Sequence, residues 1–230
     1  MVSRLSIKKI QAGELFLDRL PQNTKKAFLR CAKLPLFLSE NLYLAGGTAL
    51  ALQAGHRQSV DLDFFSPNPK ISEIGLERKL LATKEWDTAY REQGTIYGTF
   101  LGAKMSLIAY PFFAPSSARI QYGTIKILLA DDIAAMKIIA ISQRGRKRDF
   151  VDLYWYCLNR EPLVDVLMKA VMRYPGQKHN MPHFLKSLTY FADAENDPAP
   201  KLFFKASWRG IKAFFRREVK KAAKELLGLK

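Results

Sequence analysis

Within GGTALALQAGHRQSVDLDFF, Gly46 to Phe65, a glycine pair is followed by two aspartates one residue apart, Asp61 and Asp63. On a strand, alternate side chains share a face, so Asp61 and Asp63 project together while Leu62 projects away. Two carboxylates that close repel unless a cation lies between them, and Mg²⁺ or Mn²⁺ fills that role where a nucleoside triphosphate is the partner. Two such ions orient phosphates and stabilise the attacking and leaving oxygens of an in-line displacement. Gly46 and Gly47 precede a helix, where the lack of Cβ lets a phosphate approach backbone N–H groups at the positive helix end. Thr48 adds a hydroxyl there, and Arg57 a forked cation. Taken singly, each half has an ordinary structural reading, a turn or a solvated strand edge. Their combination in this order points to nucleotide chemistry.

A second group lies downstream. Arg144, Arg146, Lys147 and Arg148 crowd the turn before Asp149, either as a solvated basic loop or, with Lys137, as contacts to triphosphate or RNA phosphates. Asp149 and Asp152 share a helix face, Asp149 as a site residue and Asp152 as its support or as an ion-pair partner of Arg148 or Lys147. His179 and His183 have the i, i+4 spacing of a metal pair, but no H-E-x-x-H carboxylate accompanies them, which favours an exposed or satisfied pair. His56 lies between the two halves of the site, to touch substrate or to pack the strand end. Tyr154, Trp155 and Tyr156 read as core aromatics.

These residues need elements to hold them. YLA, Tyr43 to Ala45, reads as a buried strand, Thr48 to Gly55 as a helix that Gly55 ends, and Val60 to Phe65 as the strand carrying both aspartates. A helix is expected over 22–33 and another over 71–82. Four strands follow, in EWDTAYREQ, TIYGTFL, KMSLIAYPF and YGTIKILL. From Asp131 the period turns helical, with Asp131 or Asp132 as the cap of a helix to about Gln143. Two or three further helices fill 162–190, and after the acidic, proline-containing ADAENDPAP comes a basic amphipathic helix. The tail's cations, with Trp208, Phe214 and Phe215, are also suited to steering a polyanion. The organisation expected is therefore an α/β (α+β) core with a mixed central sheet over 1–130, including an N-terminal helix, and a mostly helical region over 131–230.

The 230 residues, 48% of them hydrophobic, are enough to bury a core. The formal net charge of +16 favours polyanionic partners. Two cysteines, Cys31 and Cys157, are too few for a disulfide scaffold or a four-ligand zinc site, which fits a reducing cytoplasm. The sequence has no stretch of the apolar length that a transmembrane helix or signal peptide requires.

The strand–GG–helix–strand–D-x-D order resembles the nucleotidyltransferases of the DNA polymerase beta superfamily. GGTALALQAGHRQSVDLDFF, together with KIIAISQRGRKRDFVDLYWY from Lys137 to Tyr156, is similar more narrowly to the AbiEii/AbiGii toxin family of abortive-infection and type IV toxin–antitoxin systems. The resemblance spans residues 40–157. It implies that Gly46, Gly47 and Thr48 bind the triphosphate, that Asp61 and Asp63 hold Mg²⁺, and that Lys137 and Asp149 match the family's downstream lysine and aspartate. It implies a Mg²⁺-dependent transfer of NMP from an NTP to an acceptor hydroxyl, with tRNA as acceptor and a separately encoded antitoxin as partner. Other members of the superfamily act on a small molecule or a protein hydroxyl. One departure stands out: many relatives carry a third acid on a later central strand, whereas KMSLIAY offers Lys104 and Ser106. Asp149 or Asp131 then supplies that acid from the helical half, the site works with two aspartates, or the fold is an inactive module that binds nucleic acid or a partner.

Overall fold

The computed structural model describes residues 7–9, 14–116, 119–176, 178 and 180–228. They belong to two compact units, Met1–Leu129 and Ala130–Lys230.

The first unit is built on one eight-stranded sheet. Its elements are β1 (Ile7–Lys9), α1 (Gln22–Cys31), α2 (Leu36–Ser39), β2 (Tyr43–Ala45), α3 (Gly46–Ala54), β3 (Leu62–Ser66), α4 (Glu73–Leu81), β4 (Trp86–Glu92), β5 (Thr95–Phe100), β6 (Ala103–Ala109), β7 (Arg119–Tyr122) and β8 (Ile125–Ile127). The strand order is β1-β7-β8-β2-β3-β6-β5-β4. The β1/β7, β2/β8 and β3/β6 pairs are parallel and the others antiparallel, so the sheet is mixed and the expected α/β class is borne out.

Alternation decides which face is core. Leu62 and Phe64 of β3 and Met105 and Leu107 of β6 are buried, and the helices on that side cover them. Phe37 after the start of α2 lies 4.4 Å from the Phe64 ring, and the Cys31 thiol of α1 lies 4.0 Å from the Met105 sulfur. Each such aromatic or aliphatic side chain contributes about 1.5–3 kcal/mol by leaving water. Burial also pushes the Cys31 thiol well up from its ordinary range, so it packs as a small apolar group.

Three boundaries differ from the sequence reading. The aspartate strand begins at Leu62, not Val60, because β2 ends at Ala45, whose partner is Asp63. Asp61 thus lies just ahead of the ladder. YGTIKILL is not one strand: Tyr122 ends β7, the chain reverses at Gly123, and β8 follows. Gly123 has φ +56°, and a Cβ there would lie 2.1 Å from the Ala32 carbonyl oxygen, so only glycine fits this turn. The short β1 and most of β7 went unread, since three or four residues carry little period.

The second unit is helical: α5 (Ala130–Arg144), α6 (Lys147–Asn159), α7 (Leu163–Arg173), α8 (Met181–Ser187), α9 (Ala192–Glu195) and α10 (Trp208–Leu227). Asp131 and Asp132 lie inside the first turn of α5 instead of capping it, where acids complement the helix dipole. Asp132 pairs with Arg173 at 2.7 Å and Asp131 with Lys169 at 3.4 Å. The core joins Ile138, Phe150, Leu153, Tyr156, Leu167, Phe214 and Phe215. Tyr154 meets Phe214 edge to face at 5.0 Å, Tyr156 is buried and Trp155 packs on the same core, so these aromatics are structural, as read. Helix α10 starts at Ser207, whose hydroxyl accepts the Gly210 N–H, and ends at Gly228, with φ +63°. Its apolar stripe, Ile211, Phe214, Phe215, Val219 and Ala222, is buried, leaving Arg209, Arg216, Arg217, Lys220, Lys221 and Lys224 exposed. Phe214 and Phe215 are therefore core residues and not a stacking surface. Among the described residues no helix is long and apolar enough to cross a membrane.

Candidate active site

The turn at Gly46 has an unusual backbone. After Ala45, Gly46 adopts φ +68° and the chain enters α3 directly. No side chain caps this helix start, so its first N–H groups keep their donor capacity. A Cβ at Gly46 would lie 3.2 Å from Oδ2 of Asp63. The space next to that carboxylate oxygen is thus kept open by the absence of a side chain.

Asp63 is fixed from its other side by β6. It pairs in register with Ser106, and the Ser106 hydroxyl donates to Asp63 Oδ1 at 2.7 Å. Ser106 is only 4% exposed, whereas Asp61 and Asp63 are both partly exposed. The strand KMSLIAY, on which the resemblance implies a third acid, thus presents a hydroxyl that hydrogen-bonds one of the two aspartates. In this unit no third His, Cys, Asp or Glu among the described residues joins them in a metal-ligating cluster. Two carboxylates beside a side-chain-free backbone still fit Mg²⁺ or Mn²⁺, which take one or two carboxylates and complete their shells with water and substrate phosphates.

Thr48 and Arg57 depart from expectation. Thr48 is 1% exposed; its hydroxyl donates to the carbonyl of Asp61 and lies 2.9 Å from the Ser59 hydroxyl. It therefore fastens the Asp61 segment to α3 and does not face a phosphate. Arg57 is 3% exposed and donates from Nη1 to the Gln58 carbonyl at 2.9 Å, so its guanidinium is part of the interior. His56 is buried beside it.

In the helical unit, Lys137 and Asp149 do meet. The Lys137 ammonium lies 2.6 Å from Asp149 Oδ1 and 2.8 Å from Asp152 Oδ2, all three groups being buried. One helix turn separates Asp149 from Asp152, so a single lysine from α5 bridges both carboxylates of α6. Asp152 is thus a partner of Lys137, and the buried Lys137 is not an extended phosphate hook. Arg144 Nε approaches Asp149 Oδ2 at 3.9 Å from a largely exposed side chain.

The basic turn divides into used and exposed cations. Lys147 is buried; its ammonium donates to the Glu195 and Asp197 carbonyls and lies over the Trp208 ring, so its role is to tie α6 to the α9 segment. Arg146 pairs with Asp197 at 2.7 Å while half exposed, and Arg144 and Arg148 remain exposed. His183 Nε2 lies 3.2 Å from the Ser142 carbonyl, a satisfied histidine; His179 lies outside the described residues.

The family model for the nucleotidyl transferase AbiEii toxin of type IV toxin–antitoxin systems matches residues 28–93 and 112–227. An uncharacterized protein of Aquifex aeolicus is 31% identical over 190 residues, covering 80% of this chain and 89% of its own. Among solved structures, a candidate nucleotidyltransferase from H. pylori aligns with TM-score 0.53 at 15% identity, covering 91% of this chain and 99% of that one. MenT4, a nucleotidyltransferase toxin from Mycobacterium tuberculosis, aligns with TM-score 0.51 at 17% identity, covering 88% and 86%. The structural likenesses carry the fold, and the sequence match, which takes in both the glycine–aspartate segment and the Lys137–Asp149 segment, carries the family. The chain belongs to the AbiEii nucleotidyltransferase toxin family and is a nucleotidyltransferase by that membership.

Proposed function

We propose that this nucleotidyltransferase moves an NMP unit from a nucleoside triphosphate to a hydroxyl of an RNA acceptor, with tRNA the acceptor class, and that a cognate antitoxin restrains it in the cytoplasm. The observation that carries the reading is the setting of Asp63, with an open, side-chain-free backbone at Gly46 on one side and the Ser106 hydroxyl bond on the other. The acceptor oxygen would form a bond to the α-phosphorus, the bond to the bridging oxygen would break, and pyrophosphate would leave as the acceptor proton is lost.

Each residue has a part in this proposal. The N–H groups at Gly46 and Gly47 receive phosphate oxygens at the positive end of α3. Asp61 and Asp63 would hold Mg²⁺ or Mn²⁺, which when bound supplies positive charge to the phosphate oxygens. The Ser106 hydroxyl, donating to Oδ1, holds Asp63 in one orientation. Lys137 and Asp149 enter as one ion-paired unit, with Asp149 Oδ2 the buried oxygen that makes no hydrogen bond. The exposed Arg144, Arg146 and Arg148 provide phosphate contacts for the RNA. A polyanionic acceptor fits the net charge of +16 better than a neutral small molecule or a protein hydroxyl.

The test is incubation with each labelled NTP and bulk tRNA in Mg²⁺ or Mn²⁺. Label transfer is expected for the wild type and a loss of about a thousandfold or more for D61A and D63A, each folded by circular dichroism. Wild type inert with every nucleotide, yet binding RNA with and without the aspartates, would instead support a binding module, the reading that the lack of an acid on KMSLIAY favours.

A further inference from the structure

Directly paired residues on neighbouring strands project to the same sheet face. Asp63 pairs with Ser106, Ser106 with Tyr97, and Tyr97 with Tyr90. One row of side chains therefore runs from the carboxylate across β6 and β5 to the edge strand β4. With strands about 4.8 Å apart, Tyr97 stands about 10 Å from Asp63 along this row.

The outer end of the row is aromatic and open. Tyr97 is 40% exposed and Tyr90 52%, while Ile96 and Phe100, projecting to the opposite face of β5, are fully buried. The two tyrosine rings lie nearly parallel, 20° between planes and 6.2 Å between centroids. The Tyr90 hydroxyl donates to Glu92 at 2.9 Å, which holds that ring in place and pushes its own proton affinity up. Lys104, exposed on β6, shares the face through its partner Thr99, as does Asp87 of β4. Glu92 and Asp87 are the acids of this face near the rings, and Lys104 is the cation on the side nearer Asp63.

The two sides of Asp63 differ. The glycine turn and helix start lie toward β2, and a triphosphate held there leaves the β6 side for the second substrate. We propose that Tyr97 and Tyr90 form a stacking shelf for an unpaired base at the reacting end of a single-stranded nucleic-acid acceptor, with Lys104 contacting its backbone. The location of the shelf relative to chemistry rests on the nucleotidyltransferase reading; the binding itself does not. Stacking on a tyrosine needs an exposed base face, which a single strand offers and a duplex interior withholds.

The experiment measures fluorescence anisotropy of a short labelled oligoribonucleotide, single-stranded or annealed, titrated with the full-length chain without NTP. Expected are roughly tenfold weaker strand binding for Y97A and several-fold for Y90A, with Y97F close to wild type. The slope of affinity against salt should stay the same in Y97A and fall by about 0.7 in K104A, because stacking releases no counterions and a phosphate contact does. Y97Q, which keeps bulk without a ring, should behave as Y97A and unfold at the wild-type temperature. Unchanged strand binding in Y97A and Y97Q, or equal losses for strand and duplex, overturns the shelf. Transfer absent in the wild type with the Y97A binding loss intact would defeat the nucleotidyltransferase reading and leave the shelf standing. Transfer intact in both, with binding unaltered, would do the reverse.

Discussion

Asp63 shows how much one residue's chemistry depends on its neighbours. Its Oδ1 accepts the Ser106 hydroxyl, and its Oδ2 faces a glycine where any side chain would crowd it at 3.2 Å. The Gly46 backbone, at φ +68°, adds a second reason for glycine. G46A should therefore lose about 1–2 kcal/mol of stability from the left-handed conformation alone. It should lose nucleotidyl transfer by a much larger factor, since the new methyl displaces the carboxylate. Denaturant melts and transfer rates on the same preparation check both. A variant with reduced stability and full activity would show that the open space beside Asp63 is not used. Thr48 teaches the complementary lesson: a hydroxyl at a helix start invites a phosphate role, but 1% exposure and a bond to the Asp61 carbonyl give it to the fold.

At the scale of elements, the pairing of α5 with α6 rests on a buried charge cluster. Lys137 faces two carboxylates, Asp149 and Asp152, each within 2.8 Å of its ammonium. Removing the lysine takes away the ammonium that bridges two buried acids. K137M should accordingly cost about 3–5 kcal/mol, read as a lowered denaturant midpoint. Replacing all three by apolar residues of similar size should recover most of that loss, because the desolvation cost disappears together with the attraction. A K137M protein as stable as wild type would mean that water reaches these groups. If the unit also serves the reaction, D149N should reduce transfer more than its change in stability explains. The α9–α10 segment uses surface charge differently. Glu195 accepts from Lys212 at 2.5 Å and from the Trp208 indole, which holds its carboxyl below the usual glutamate range.

For the whole molecule, charge sets the partner class. The chain carries 37 basic against 21 acidic residues, and α10 presents six exposed cations on its solvent side. Part of this charge is consumed internally: Arg217 and Lys221 share Glu218, and Arg216 lies over the Phe191 ring. The remainder predicts that affinity for single-stranded RNA falls steeply with salt, by about 0.7 log unit per log unit of salt for each phosphate engaged. A salt titration of binding, plotted on logarithmic axes, gives that count directly. A flat line would remove polyanionic acceptors from the proposal and return the small-molecule and protein acceptors to first place.

Local pattern was enough for much of this. The glycine pair, the alternation of VDLDFF and the helical period after Asp131 are written in neighbouring residues, so the sequence alone determined the mixed α/β core, the helical run after it, the family and the strand that carries Asp63. It also located the amphipathic α10, whose buried stripe recurs every three or four residues. What lies between segments distant in the chain was set only by tertiary structure. The register that pairs Asp63 with Ser106 across 43 positions, the burial that turns Arg57 and Lys147 inward, and the triad around Lys137 all depend on long-range packing. The tyrosine row was visible in the sequence only as ordinary strand alternation in TIYGTFL and EWDTAYREQ. Strand order placed it beside Asp63, because a sheet's face is shared by residues that no local period connects.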